Sequence, residues 1–241
     1  MPILTSITGY LLGSILLVVL AILATIQSIV GNQRLFDTQI KFICRWIPGV
    51  FGIRVITMGA ENIDKAATQI FMANHVNIFD GFILYGHIPH FFRGIELEDH
   101  FSWPIWGFIT KRLGNIPISH TNIESAVESL NRAREVISSG TSIGILPEGH
   151  RTRDGRLQPF KRGAFRLAKN ADVGVTPVAL RNLWERKTVH SPLVRPGIVY
   201  LVFGEPIAAD TARRLSEREL RDLVRTRILS MLEDPKEALR K

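Results

Sequence analysis

The chain opens with a long apolar segment, which is followed by short apolar runs that alternate with amphipathic stretches. No side chain before Arg34 carries a charge, and residues 10–30 are almost entirely apolar. As a helix, these residues span about 31 Å, which is close to the hydrocarbon thickness of a bilayer. We therefore predict a membrane anchor in residues 1–52, with a transmembrane or re-entrant helix followed by an interfacial helix that carries Arg45 and Trp46.

The remaining residues, 53–241, show the pattern of one α/β domain. Five short apolar runs predict strands near residues 54–58, 69–73, 141–146, 173–176 and 198–203. Between them, residues 121–124 resemble a capping box that opens a helix with Ile123, Val127, Leu130 and Ile137 on its inner face, and Ser216 opens a basic amphipathic helix. This alternation predicts a mixed, largely parallel sheet flanked by helices.

The distribution of charge indicates where the domain lies and what it meets. Lys and Arg number 30 against 22 acidic residues, a net charge of +8, and several basic residues directly follow the apolar segment. By the positive-inside rule, the domain faces the cytoplasm from the cell inner membrane. A cleaved signal peptide is the alternative, but it would carry positive charge before its apolar core. A third possibility is that the apolar helix enters the bilayer and returns.

The positive charge also bears on the class of partner. Nucleic acid is one partner for a basic chain, but the aromatic-basic motifs of nucleic-acid binders are missing. The excess therefore favours anionic membrane lipids and phosphate-bearing substrates, with no nucleic acid. Cys44 is the single cysteine, so an intramolecular disulfide is impossible and the chain fits a reducing compartment.

A histidine and an aspartate stand five positions apart where a predicted strand leads into a helix. His75 lies on the turn and Asp80 in the first helical turn, where exposed N–H groups favour a carboxylate. Asp80 would hold one imidazole nitrogen as N–H and leave the other to accept a proton. Because the chain has no G-x-S-x-G motif, we predict that the pair activates a hydroxyl of the substrate. The alternative is an ordinary polar contact.

A second polar loop follows the predicted strand at residues 141–146. Glu148, Gly149 and Arg151 lie at its carboxyl end, where open α/β sheets bind ligands. Pro147 and Gly149 fix the turn, so we predict that Glu148 and Arg151 point into one cleft. Arg151 has the planar guanidinium that grips phosphate with two hydrogen bonds. The loop predicts a phosphate-binding position, although a solvated ion pair between Glu148 and Arg151 is the simpler interpretation.

Together these motifs resemble the glycerophospholipid acyltransferases, in particular the 1-acylglycerol-3-phosphate acyltransferases. The resemblance covers residues 70–206 in four blocks: Asn-His-x4-Asp from Asn74, Leu-Pro-Glu-Gly-x-Arg from Leu146, and two later blocks that begin at Phe160 and Val175. It implies transfer of a fatty acyl group from acyl-CoA or acyl-carrier protein to a lysolipid hydroxyl, in phospholipid biosynthesis and without a cofactor. His75 and Asp80 would be catalytic. The substrate-binding positions would be Asn74, His120, Glu148, Gly149, Arg151 and Lys161.

The sequence departs from the family pattern at three places. Ser119 and His120 replace the Asp-Arg pair usual in the family's second block, and His150 replaces the threonine usual before Arg151. The segment that begins at Arg93 lacks an expected lysine. These changes leave the acceptor open between 1-acylglycerol-3-phosphate and another lysolipid, such as an amino-acid lysolipid or a remodelled lysophospholipid. A noncatalytic lipid-binding protein is the third alternative.

The segment between the two main motifs contains histidines and many aromatic residues. His87 and His90 are separated by a proline that breaks helical register, and no cysteine completes a zinc spacing, so we predict no metal site. Phe91, Phe92, Trp103 and Trp106 fit core packing, or alternatively a groove for an acyl chain or an interfacial contact.

Overall fold

The protein has a seven-stranded mixed sheet. The structure, a computed structural model, describes residues 2–119 and 123–234. The strands are β1 (Ile53–Met58), β2 (Gln69–Ala73), β3 (Phe92–Leu97), β4 (Ile116–Ile118), β5 (Ser142–Ile145), β6 (Gly174–Arg181) and β7 (Gly197–Phe203). Their order across the sheet is β1-β7-β6-β2-β5-β3-β4, and only the β6–β7 pair is antiparallel. The predicted α/β architecture with a largely parallel sheet is confirmed.

Helices cover both faces of this sheet. They are α1 (Pro2–Val30), α2 (Asp37–Gly49), α3 (Asp80–His87), α4 (Trp106–Arg112), α5 (Ile123–Ser138), α6 (Arg162–Ala171), α7 (Ala209–Arg214) and α8 (Glu217–Glu233). Side chains of β2 alternate between the faces: Phe71 packs with the first four helices, whereas Ile70 and Met72 pack with α5 to α8. The carboxyl end of β2 therefore emerges between two well-packed layers.

Helix α1 packs along the domain over most of its length. Near its start, the Ser6 hydroxyl accepts a hydrogen bond from the Val194 N–H at 2.8 Å. In its middle, Gly9 lies so close to the Phe51 ring that a side chain there would clash, and Leu20 and Ala24 are buried in the shared core. The predicted anchor and the sheet therefore share one hydrophobic core. Helix α1 is long and apolar enough to cross a membrane, and its outer face leaves large apolar side chains exposed.

Two details of the helix predictions have different outcomes. The predicted helix start at Ser216 is confirmed, and it has a capping box in which the Ser216 hydroxyl and the Glu219 carboxylate each accept the other residue's N–H. The inward position of Val127 is wrong, since its side chain is 45% exposed while Ile137 is buried. The predicted capping box begins at Thr121, which lies outside the described residues.

Candidate active site

The turn between β2 and α3 brings His75 against Asp80. The His75 Nδ1 and Asp80 Oδ2 atoms are 2.6 Å apart, and the Asp80 side chain is 1% exposed. The same carboxylate accepts the backbone N–H groups of Val76 at 2.6 Å and Asn77 at 3.0 Å. Because a carboxylate only accepts hydrogen bonds, this contact favours the imidazole tautomer with its hydrogen on Nδ1. Nε2 is thereby left as a proton acceptor.

The neighbouring asparagines fix the turn to the rest of the sheet. The Asn74 side chain accepts the Leu180 N–H at 2.7 Å and donates to the Leu180 carbonyl at 3.2 Å. The Asn77 amide donates to the Lys187 carbonyl at 2.7 Å. The side chain of Asn74, which was predicted to bind substrate, is buried and ties the turn to β6.

Glu148 holds the backbone of His75. Its Oε1 accepts the His75 N–H at 2.5 Å and its Oε2 accepts the Gln158 N–H at 2.6 Å. The Thr152 N–H also donates to the His75 carbonyl, at 2.9 Å. The prediction that Glu148 points into one cleft with Arg151 is wrong. Its buried carboxylate lines a smaller polar cavity of about 270 Å³ instead, where two backbone N–H groups donate to it.

This burial makes folding stability depend on the charge of Glu148. Desolvation raises the pKa of the Glu148 carboxyl to about 7, although the two backbone hydrogen bonds oppose that rise. Because the folded-state pKa is the higher one, stability is greatest while the group is protonated. It falls as pH rises from about 4.5 through about 7, by up to about 3 kcal/mol.

We expect Glu148→Gln to flatten this pH dependence. The neutral amide cannot ionise, so the variant should lose less thermal stability than the wild type between pH 5 and pH 8. Unfolding midpoints in detergent across that range provide the measurement. Glu61→Gln, at an exposed position, is the matched control and should keep the wild-type slope. Equal slopes for all three proteins would contradict this account of Glu148.

A predominantly apolar cavity of about 500 Å³ lies beside the catalytic pair. It is lined by His75, Arg151 and Lys161, and by an aromatic set consisting of Phe82, Tyr85, Phe92, Trp103 and Trp106. Phe92, Trp103 and Trp106 thus line a cavity, and Phe92 and Trp106 also pack in the core. Phe91 has a different environment, since its ring packs against the guanidinium groups of Arg34 and Arg93.

One polar group within this cavity was not predicted from the sequence. Glu96 lines the cavity and accepts hydrogen bonds from the Trp106 indole at 2.7 Å, the Thr110 hydroxyl at 2.8 Å and the Asn115 amide at 2.6 Å. These donors satisfy the carboxylate and fix the Trp106 ring in the wall. The arrangement gives the cavity a defined shape, because Trp106 also packs edge-on against Phe82.

The remaining predicted site residues line the same cavity or lie outside the residues that the structure describes. Gly149 lines it with a φ of +74°, a conformation that suits glycine and turns the loop sharply. Arg151 and Lys161 also line it, so two cationic side chains from one loop region reach a single cavity. His120 lies outside the described residues. The adjacent Ser119 lines the cavity and donates to Glu98 at 2.6 Å.

The two histidines considered for metal binding form hydrogen bonds with backbone carbonyl groups. His90 Nε2 lies 2.9 Å from the Asp64 carbonyl oxygen, and His87 Nδ1 lies 2.9 Å from that of Ile83. Across residues 2–119 and 123–234, no three His, Cys, Asp or Glu side chains cluster as a metal site.

The geometry places a hydrogen-bonded histidine and aspartate beside a predominantly apolar cavity. A family model described as Acyltransferase matches residues 54–181, and the chain belongs to that family. The predicted resemblance is thereby confirmed. The match covers both catalytic motifs, because His75, Asp80, Glu148 and Arg151 all fall within it.

Individual relatives and a solved structure agree with this family. The chain is 29% identical to a 1-acyl-sn-glycerol-3-phosphate acyltransferase of Borreliella burgdorferi over 185 residues, 76% of this chain and 73% of that protein. It is also 29% identical over 161 residues to a chloroplastic enzyme of the same name from Brassica napus, but spans only 46% of that protein's length. The crystal structure of the Thermotoga maritima 1-acyl-sn-glycerophosphate acyltransferase PlsC superposes with a TM-score of 0.83 at 22% identity. It covers 97% of this chain and 95% of that one, which shows a shared fold.

Proposed function

We propose that this protein transfers a fatty acyl group from a thioester donor to the hydroxyl of 1-acylglycerol-3-phosphate. The product is phosphatidic acid, which places the reaction in phospholipid biosynthesis. The donor is acyl-CoA or acyl-carrier protein, a co-substrate rather than a cofactor. The observation that carries the proposal is the 2.6 Å contact between His75 Nδ1 and Asp80 Oδ2 in the wall of an apolar cavity.

The chemistry follows from that contact. His75 Nε2 takes the proton from the acceptor hydroxyl while the oxygen attacks the thioester carbonyl carbon. The C–S bond then breaks, and the imidazolium returns its proton to the departing thiolate. An ester and a free thiol result, so atoms and charge balance without an acyl-enzyme. Asp80 stays a carboxylate and stabilises the transient imidazolium.

The cavity separates the apolar and charged parts of the substrates. Its volume of about 500 Å³ is within the usual range for small-molecule sites, and its aromatic walls suit a hydrocarbon chain. Arg151 and Lys161 line the same cavity as His75, so an acceptor phosphate held by them remains near the proton acceptor. This arrangement supports an amphiphilic acceptor with a phosphate at one end.

We expect Arg151→Lys to raise the KM for the acceptor with little change in the KM for the thioester. Lysine keeps the charge but loses the two-pronged guanidinium grip, and KM rises about tenfold for each 1.4 kcal/mol of binding lost. Steady-state kinetics with each substrate varied in turn provide the measurement. Arg153→Lys is the matched control, because Arg153 is exposed on the same loop. An unchanged acceptor KM in Arg151→Lys would contradict phosphate binding there.

One observation favours a different lysolipid as the acceptor. The cavity wall carries Ser119, hydrogen-bonded to Glu98, where the family pattern has an acidic residue followed by arginine. The second candidate function is therefore acylation of a lysolipid whose head group needs less positive charge. The chemistry at His75 would be the same.

A panel of acceptors decides between these candidates. Purified protein receives one acyl-CoA and, in parallel vesicles, lysophosphatidate, lysophosphatidylglycerol, lysophosphatidylethanolamine or an amino-acid lysolipid, and the products are identified by lipid mass spectrometry. The proposed function predicts the highest kcat/KM for lysophosphatidate. A clear preference for another lysolipid would replace the leading acceptor. If no thioester is consumed with any of these acceptors, lysolipid acylation is wrong.

We infer that α1 lies along the membrane surface and leaves the domain on the cytoplasmic side of the inner membrane. Contacts with the domain extend from Ser6, through Leu20, to Gln33, which accepts a hydrogen bond from Arg93 at 2.8 Å. A helix that crossed the bilayer while keeping these contacts would draw the domain in with it. The exposed apolar face of α1 supports the in-plane arrangement, and the basic residues that follow support the cytoplasmic side by the positive-inside rule.

Epitope tags at the two termini distinguish the in-plane helix from a spanning one. If α1 lies in the plane of the membrane, an amino-terminal and a carboxyl-terminal tag should both resist protease added to right-side-out vesicles. Both should be cleaved in inside-out vesicles. A periplasmic protein with the same tag is the control for sealing. Cleavage of only the amino-terminal tag from outside would show that the helix spans the bilayer.

A further inference from the structure

We propose that α4 and the residues just before it form a second membrane-docking patch at the mouth of the catalytic cavity. The patch consists of Trp103, Ile105 and Phe108, with Lys111 and Arg112 beside them, and its partner is an anionic bilayer. The proposal rests on the proposed function only in treating the acceptor as a membrane lipid.

The apolar side chains of the patch are unusually exposed. Trp103 is 43%, Ile105 59% and Phe108 40% exposed, although all three are large and apolar. Single exposed apolar residues are common on protein surfaces, but a contiguous group indicates an interaction site. These three fall within six residues of sequence.

Core packing does not explain the outward face of α4. The inward face is complete, because Trp106, Ile109 and Leu113 follow helical spacing and pack against the shared core. Phe108 lies on the opposite side of the helix from Trp106, and Ile105 immediately precedes the helix; both are exposed. Gly107 fits so tightly against the Phe101 carbonyl that a β-carbon would lie 2.3 Å from its oxygen. The patch is therefore presented on a firmly packed support.

Both neighbouring structure and charge favour a bilayer as the partner. Helix α4 packs against α1, so the patch adjoins the helix whose outer face carries most of the exposed apolar side chains. The Arg112 guanidinium lies 3.4 Å above the Phe108 ring, and Lys111 is exposed next to it. Aromatic and aliphatic side chains flanked by basic residues match the boundary between acyl chains and anionic head groups.

The position of the patch connects it to catalysis. Trp103 is both exposed and part of the cavity wall, and Trp106 lines the cavity from the inward face of the same helix. On the His75 turn, Ile78 likewise lines the cavity and remains exposed. A lysolipid entering between these side chains would pass from bilayer to cavity along apolar surface.

Site-directed fluorescence tests the patch without using catalytic activity. The full chain carries Cys44→Ala, and a cysteine introduced as Ile105→Cys or, in a second protein, as Phe108→Cys carries an environment-sensitive fluorescent label. The vesicles contain phosphatidylglycerol and a nitroxide-labelled lipid that quenches this fluorescence. The control is Val127→Cys, which is comparably exposed on α5, on the opposite face of the sheet. We expect strong quenching at 105 and 108 and little at 127. Quenching at 105 and 108 no stronger than at 127 would overturn the proposal. Equal quenching with neutral vesicles would overturn its electrostatic part.

A kinetic comparison shows what the patch contributes. The double variant Ile105→Ser/Phe108→Ser should raise the KM for vesicle-borne lysophosphatidate about tenfold or more, since it removes two large apolar groups from membrane contact. Turnover of a short-chain, water-soluble lysophosphatidate should be unchanged, as it should be in the control Val127→Ser. An equal loss on both acceptors would overturn a docking role.

The two experiments also separate this proposal from the proposed function. Quenching at 105 and 108 in a protein that acylates none of the lysolipids would support the patch and refute the function. If the unquenched patch instead mediates self-association in analytical ultracentrifugation, the surface is a protein interface and the membrane proposal is wrong.

Discussion

His75→Ala is expected to lower the rate of acyl transfer by about 10²–10⁴-fold, the usual contribution of a positioned general base. The variant loses the group that takes the acceptor's proton, whereas Asp80, Glu148 and the backbone contacts of the turn remain. Binding of both substrates should change little, so the loss should appear in kcat. Initial rates at saturating substrate, together with a thermal unfolding curve, give the measurement.

His190→Ala is the matched control for this variant. His190 is exposed on the surface, and its replacement should leave kcat at the wild-type value. Near-normal turnover in a folded His75→Ala protein would show that another group accepts the proton.

The second large effect is expected for Asp80→Asn, with a loss of about 10²–10⁴-fold in kcat. The amide has one acceptor oxygen, whereas the Asp80 carboxylate serves the His75 imidazole and the N–H groups of Val76 and Asn77. The imidazole then loses the partner that fixes its hydrogen on Nδ1 and stabilises its charged form. Asp222→Asn, at an exposed position on α8, should retain full activity.

A nitrogen-15 spectrum of the His75 ring distinguishes this mechanism from simple damage to the turn. Wild-type protein should show the Nδ1–H tautomer, and Asp80→Asn should show a mixture or the opposite tautomer. Full activity in Asp80→Asn, or an unchanged tautomer in an inactive variant, would contradict the role given to Asp80.

The catalytic pair was predictable because its geometry is local. Six residues between a buried strand and a helix leave the backbone little freedom, so the turn itself brings His75 close to Asp80. Glu148 could not be placed in the same way. Its partner is the backbone of a residue 73 positions earlier, and only the parallel pairing of β2 with β5 brings the two loops together. Sequence shows a glutamate on a loop, but not which direction it faces.

Strand β3 shows a second limit on predicting strands from sequence patterns. β3 contains Arg93 and Glu96, which interrupt the apolar alternation that identifies strands. In the fold, Arg93 stacks on Phe91 and hydrogen-bonds Gln33, while Glu96 is satisfied by three donors. Charged residues are tolerated in this strand because partners distant in sequence compensate them, and those partners are not visible in a local window.

The apolar N-terminus shows how composition and packing answer different questions. Composition alone identifies a segment long enough to cross a bilayer. Packing shows that small residues such as Ser6, Gly9 and Ala24 form one face that fits against the domain. Length therefore predicted the helix correctly, whereas its relation to the domain depended on which face carries the small side chains.

A single-turnover acylation assay tests the central claim most directly. Purified wild-type protein in excess over radiolabelled acyl-CoA is mixed with lysophosphatidate vesicles, quenched at intervals, and divided into lipid and protein fractions. Direct transfer by His75 predicts that label moves from thioester to phosphatidic acid with no protein-bound acyl group at any time, and that His75→Ala forms product about 10²–10⁴-fold more slowly. Label that first accumulates on the protein, or no phosphatidic acid from the wild type, would contradict the mechanism.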